Sequence, residues 1–230
     1  MNILGIIPAR GGSKRVPKKN IKKIVGKPLI FYTISEANKS KYFTRIVVST
    51  ENQEIAKISK KYGVSVIPRP KKLALDKTPS ENVFLHVIKY LKKKENFKTD
   101  IFVVLQPTSP LRTVNDIDGA IEKFLKTDCD SLVSVTKVQH SPYWIYRLDK
   151  NKLKKQFRNK IIQQQESPLL YQINGAIYIT YEHTFIKKNK LIDKNTYGYI
   201  MPPERSVDID SPFDLKITKL LMKEKSKRIK

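Results

Sequence analysis

Short β-branched runs alternate with amphipathic stretches along the chain, and this alternation restricts the fold more than any other feature. Residues 3–7, 45–49, 64–67, 101–105, 131–137, 175–180 and 196–201 read as strands. Residues 28–40, 80–95 and about 113–125 read as helices, the last capped by Thr113. Thr50, with Gln53 three residues on, has the spacing of a capping box for a helix reaching residue 62. Ser211 is placed to cap a final helix, with Pro212 at its favoured first position. Strands separated by helices pair in parallel, because a parallel connection needs a crossover. The expected fold is therefore α/β: a mostly parallel, twisted sheet with helices on both faces. In such sheets ligands collect at the carboxyl ends of the strands, near the switch in strand order.

The rhythm breaks between residues 138 and 172, where the chain turns polar, rich in Lys and Gln, and carries Tyr143, Trp144 and Tyr146. This stretch reads as a small arm inserted into a single domain spanning 1–230, a length that suits one α/β unit. The formal net charge is +25. Its lysines are spread over the whole chain, with the densest runs at 92–94 and 223–230, as on solvated helix faces and a chain end. A nucleic-acid-binding protein would instead concentrate its charge on one face, interleaved with aromatic platforms. Cys129 is the one cysteine, which excludes an internal disulfide and suits a reducing, cytoplasmic setting. Residues 1–9 lack a basic leader, and no apolar run approaches the roughly 20 residues needed to cross a bilayer. The three histidines lack the spacing of a nucleophile and base pair.

The segment IPARGGSKRVPKKN, residues 7–20, carries the most chemistry. A buried strand runs into a loop with two glycines, one serine and five basic side chains. Glycines let backbone amides approach an anion closely. Arg10, Lys14 and Lys19 offer charge-assisted hydrogen bonds to phosphate oxygens. The alternative is an ordinary basic surface loop. It is not a Walker A loop, because Pro17 interrupts the segment where Lys and Ser/Thr should open a helix, and it lacks the spacing of a dinucleotide fingerprint.

Asp208 and Asp210 alternate in an extended segment, so their side chains share one side. Such a pair suits a hard cation such as Mg²⁺ that takes its other ligands from phosphate and water. It equally suits the entry to a helix, where acidic residues are favoured. In LQPTSPLR, residues 105–112, Gln106, Thr108 and Ser109 could meet a polyhydroxylated ligand and Arg112 a carboxylate. Alternatively, Thr108 and Ser109 satisfy the turn around Pro107 and Pro110.

The first loop resembles the signature of the acylneuraminate cytidylyltransferases. VSTENQEIA, RPKKLALDKTPS, LQPTSPLR, NGAIYI and SVDIDSPFDL follow in the family's order across nearly the whole chain. The resemblance implies a Rossmann-like nucleotidyltransferase with a small inserted dimerisation arm, working as a homodimer. It implies transfer of CMP from CTP, with Mg²⁺, to a nine-carbon acidic sugar of the N-acylneuraminate or legionaminate type, and release of pyrophosphate. It assigns the nucleotide to Ala9, Arg10, Gly11, Ser13, Lys14, Lys19, Asn20, Arg69 and Ser80. Gln106, Thr108, Ser109, Arg112 and Asn174 are assigned to the sugar, and Asp208 and Asp210 to the metal. Arg10, Lys19, Asp208 and Asp210 are the catalytic candidates. Ser80 also reads as a helix N-cap, and Asn20 and Asn174 as turn residues. The chain departs from the family in residues 163–172, QQQESPLLYQ, which lack the arginine usual before NGAIYI. Eight-carbon (Kdo) and pseudaminate cytidylyltransferases are the neighbouring alternatives.

Overall fold

The computed structural model describes residues 1–156 and 168–228. Its strands are β1 (Ile3–Pro8), β2 (Lys23–Ile24), β3 (Lys27–Pro28), β4 (Arg45–Thr50), β5 (Ser65–Pro68), β6 (Ile101–Leu105), β7 (Ser131–Lys137), β8 (Tyr146–Asp149), β9 (Lys152–Lys155), β10 (Tyr171–Tyr181) and β11 (Thr196–Ile200). Its helices are α1 (Leu29–Lys39), α2 (Gln53–Lys61), α3 (Ser80–Glu95), α4 (Val114–Lys126), α5 (Glu182–Lys188) and α6 (Pro212–Arg228). Seven strands form one sheet in the order β11-β7-β10-β6-β1-β4-β5. All run parallel except β10, which is antiparallel to both neighbours.

Both faces of the sheet are buried, and the strand residues sort by period two. Ile3, Ile7, Val48, Ile101, Val103 and Leu105 pack into one core with residues of α1, α2 and α4. Leu4, Ile6, Val47, Ile67, Phe102 and Val104 pack into the other, with α3 and Phe185 of α5. The order reverses at β1: the chain winds outward through β4 and β5, then crosses back to place β6 on the other side of β1. The carboxyl ends of β1, β4, β5 and β6 share one edge, and the crevice predicted for ligands opens there.

A third, smaller core decides what faces that crevice. Val16 of the first loop and Ile24 and Leu29 just beyond it pack with Leu111, Ile209, Leu215 and Met222. The loop after the first strand is thus joined by apolar packing to the start of the last helix.

Two local readings change. Asn52, not Thr50, caps α2: its Oδ1 accepts from the Ile55 amide at 3.0 Å, while Thr50 Oγ1 accepts from the Asn52 amide. Pro79, not Ser80, occupies the cap position of α3. Thr113 forms a full capping box with Asp116, as expected. Ser211 caps the last helix and exchanges hydrogen bonds with Asp214. Within the inserted stretch β8 and β9 form an exposed antiparallel hairpin. The return strand β10 begins at Tyr171, earlier than expected. Residues 163–167, half of the arginine-free stretch, lie outside the described residues.

Candidate active site

A cavity of about 260 Å³ lies at the switch point, walled by the first loop, the 69–80 segment and the end of β6. Arg10, Gly12, Ser13, Lys19, Asn20, Arg69, Asp76, Ser80, Gln106 and Thr108 face it.

The first loop is shaped by its own polar contacts. A 3₁₀ turn at Lys19–Ile21 buries Asn20, whose Nδ2 donates to the Arg10 carbonyl at 2.9 Å and folds the loop back on itself. The Gly11 amide donates to the Glu51 carboxylate at 2.6 Å, so it is committed to the protein rather than turned toward an anion. A Cβ on Gly11 would lie 2.7 Å from Asn52 Nδ2, which is why only glycine fits there. Ala9 is fully buried, its amide donating to the Ser49 carbonyl. It supports the loop from behind.

Arg10 and Lys14 both reach Asp76, at 2.7 and 2.6 Å, and together hold its carboxyl below the usual range through hydrogen bonds, Lys14 contributing most. Sequence reasoning passed over Asp76, although it sits inside one of the quoted segments. Arg69 is buried, and its Nε and Nη2 donate to the Ser49 hydroxyl and carbonyl at 3.2 and 2.8 Å. Burial pushes its pKa down to about 10, with Glu51 opposing and Arg10 adding to the shift. It therefore stays cationic at neutral pH.

The carboxylate pair meets the cationic loop here. Lys19 Nζ donates to the Ile209 carbonyl at 2.6 Å and pairs with Asp210 Oδ1 at 3.2 Å; Arg15 reaches Asp210 Oδ2 at 3.1 Å. Ile209 between the two acids is fully buried in the third core and orients both. Its amide also donates to the Thr108 carbonyl at 2.9 Å, tying the acids to the end of β6. Burial lifts the Asp208 carboxyl above its ordinary value, the Thr108 hydroxyl opposes that, and Asp210 adds to it. Asp208 Oδ1 is buried with no hydrogen-bond partner among the described residues. Neither acid lines the cavity, but both are tied to residues that do, through Lys19 and Thr108. An unpartnered carboxylate oxygen two residues from a second carboxylate fits a hard cation. Among the described residues no group of three His, Cys, Asp or Glu could hold a metal alone.

Three expected sugar contacts lie behind the wall of the cavity instead of on it. Ser109 is fully buried. Asn174 is buried too, and it accepts from the Ser134 hydroxyl at 2.6 Å and donates to Ser206 at 2.9 Å. Arg112 is only 2% exposed, with Nη1 donating to the carbonyls of Ala176 at 2.7 Å and Gln106 at 3.3 Å. Its Nε and Nη2 are buried without a hydrogen-bond partner among the described residues, and burial keeps the guanidinium from a sugar carboxylate. Gln106 does face the site. It also lines a second cavity of about 290 Å³ with Ser80, Glu81, Tyr178, Lys190 and Leu191. Burial, with Asp208 and Glu81 nearby, raises the Tyr178 phenol above its usual value. Tyr178 sits inside the quoted segment NGAIYI but was not singled out there, and Lys190, in the loop after α5, carries no motif signal; sequence reasoning missed both.

The sequence matches the family described as Cytidylyltransferase over residues 4–227. The chain belongs to the cytidylyltransferase family. Within it, the chain is 37% identical to a CMP-N,N'-diacetyllegionaminic acid synthase of Legionella pneumophila, over 96% of this chain and 97% of that protein. It is 33% identical to an N-acylneuraminate cytidylyltransferase of Streptococcus agalactiae serotype III, over 93% of this chain and 52% of that protein. Among solved structures, a CMP:2-keto-3-deoxy-manno-octonic acid synthetase complexed with CTP superposes with a TM-score of 0.74. That likeness covers 98% of this chain and all of the other at 16% identity, so it concerns the fold alone.

Proposed function

We propose that the chain transfers CMP from CTP to the anomeric hydroxyl of a nine-carbon acidic sugar of the N-acylneuraminate or legionaminate type. The observation that carries this reading is the Lys19 ammonium. Lining the cavity, it joins the first loop to Asp210, 191 positions away in the chain. A triphosphate and its counter-cation need both charge signs in one place.

The sugar hydroxyl oxygen attacks the α-phosphorus, the bond to the β-phosphate oxygen breaks, and pyrophosphate leaves with that electron pair. The hydroxyl proton passes to solvent. Little covalent work falls to the protein, so positioning and charge neutralisation dominate. Arg10 and Lys19, with Lys14 at the rim, neutralise the triphosphate and the leaving group. Arg69, Asn20 and Ser80 shape the walls against which the nucleoside lies. Gln106 stands between the two cavities, so the acceptor in the second lies next to the α-phosphate. Lys190 and Tyr178 offer its carboxylate and hydroxyls partners in place of the buried Arg112. Asp208 and Asp210 would hold Mg²⁺, which when bound supplies charge neutralisation at phosphate oxygens and acidifies the attacking hydroxyl.

The same reading makes the protein a cytoplasmic homodimer that uses neither nucleic acid nor a membrane. Trp144, Ile145, Leu148 and Leu153 leave an apolar surface on the arm that suits a second copy. No helix among the described residues is long and apolar enough to cross a bilayer. Sedimentation as a monomer at micromolar concentration would remove the homodimer.

The test is pyrophosphate release with CTP and Mg²⁺ against a panel of neuraminic, legionaminic, pseudaminic and Kdo acids. Turnover is expected with a neuraminic or legionaminic acid. Turnover confined to Kdo or pseudaminic acid would replace the acceptor, and no turnover with any would sink the activity.

A further inference from the structure

The sugar-facing wall is held by a kink whose fastening lies out of reach of any ligand. Strand β10 pairs with β7 up to Ile173 opposite Val135 and resumes at Tyr178 opposite Val133. Four residues, 174–177, therefore face the single partner residue Ser134. Side-chain hydrogen bonds fasten them. The Ser134 hydroxyl donates to Asn174 Oδ1 and accepts from the Ile177 amide at 2.7 Å, and Asn174 Oδ1 also accepts from the Ala176 amide. The Ala176 carbonyl accepts from Arg112 Nη1.

At the crest of the kink Gly175 adopts φ +75°, and a Cβ there would sit 3.3 Å from Gln106 Oε1 and 3.6 Å from Asp208 Oδ2. The kink is thus the surface against which the Gln106 amide and the Asp208 carboxylate are set. The same Arg112 nitrogen that holds Ala176 also holds the Gln106 carbonyl, which Thr33 Oγ1 approaches at 3.4 Å. One buried cation spans the end of β6 and the kink of β10. Burying a guanidinium is costly unless its hydrogen bonds and neighbouring charges offset the loss of water. Here burial pushes its pKa down to about 10, and Asp116 and Glu36 counter that. An apolar side chain would fill the space without that cost, so the charge at this place points to something beyond packing.

We propose that Arg112 is a positioning residue for the acceptor: by bridging the carbonyls of Gln106 and Ala176 it sets the Gln106 amide between the two cavities. This rests on the reading of the second cavity as the acceptor site. Arg112 lines neither cavity, so its loss acts through Gln106, while the first-loop and 69–80 walls of the nucleotide pocket make no hydrogen bond to it.

The experiment is steady-state pyrophosphate release by wild type, Arg112→Lys, Arg112→Met, Gln106→Ala and the Arg112→Lys/Gln106→Ala double variant, with each substrate varied in turn. In Arg112→Lys, kcat/KM for the sugar is expected to fall about tenfold, with a raised half-saturating sugar concentration, and the half-saturating CTP concentration to stay within about twofold, a full ångström of misplacement being able to cost about a hundredfold in rate. The double variant should be no worse than Gln106→Ala alone, because the two residues act through one contact. Should both Arg112 variants fail to fold, Asn174→Ser loosens the same kink from its other side and should give the same split. Independent, additive losses, or a lower kcat with unchanged sugar saturation, would reduce Arg112 to a structural residue and overturn the proposal. Wild-type turnover in the same assay separates this failure from failure of the acceptor assignment: if the wild type turns over no sugar, both fall.

Discussion

Replacing Gly175 with alanine tests how closely the kink is fitted to the site. The residue holds φ +75°, where an L side chain costs about 1–2 kcal/mol. For a chain of this size each kcal/mol lowers the melting midpoint by about 2–4 °C, so the backbone alone should lower it by about 2–8 °C. The new methyl would also stand 3.3 Å from Gln106 Oε1, close enough to push that flexible amide by a few tenths of an ångström. The energy of so small a shift is slight, but its effect on the acceptor is not. The kcat/KM for the sugar should fall about threefold to tenfold, against the roughly hundredfold in rate that a full ångström can cost. Gly63→Ala is the control: φ is +79° and nothing lies within 4 Å of its Cβ. Both variants should show a similar drop in a circular-dichroism melt, and only Gly175→Ala should shift the sugar curve in a pyrophosphate-release assay. Equal kinetics for the two variants would refute the claim that this glycine sets the amide.

Asp208→Asn should separate stability from activity. Burial raises this carboxyl, so its ionised form opposes folding; that penalty is absent below the unfolded-state value and complete above the folded-state value. The amide should therefore raise the melting midpoint at pH 7–8, give no gain near pH 3, and abolish Mg²⁺-dependent turnover; a lower midpoint at neutral pH would contradict the assignment. Arg69→Met strips the Ser49 hydroxyl and carbonyl of a buried donor, a loss of about 1–3 kcal/mol in urea unfolding, and should raise half-saturation by CTP more than by sugar. Asn52→Ala removes the cap of α2 and should cost about 1 kcal/mol in the same unfolding experiment while turnover at saturating substrates persists.

The sheet was legible because its signals are local. Strands such as Ile101–Leu105 are uniformly apolar, and Thr113 and Ser211 cap helices with their own side chains. The meeting of the first loop with the Asp208–Asp210 segment was legible only through the resemblance, since no local pattern links Lys19 to a residue 191 positions away. What escaped depended on partners. The kink of β10 is defined by how many residues face Ser134 on another strand, which composition does not encode. Arg112 read as a partner for a sugar carboxylate, since arginine is rarely buried, yet two backbone carbonyls and nearby acids hold it inside. Gly11 read as an anion-binding amide, and the side chain that claims it, Glu51, lies on the next turn of structure, 40 residues on. Asp76 was hidden among lysines, although a lone acid in a basic segment is itself a signal of a latch.

Calorimetric titration of CTP into wild type and Asp208→Asn, each with and without Mg²⁺, bears most directly on whether loop and acids serve one metal-bound triphosphate. Mg²⁺ should tighten CTP binding to the wild type by about tenfold or more and leave Asp208→Asn unchanged, a coupling within the usual range between linked sites. Equal tightening in both proteins would place the ion elsewhere and separate the acids from the nucleotide.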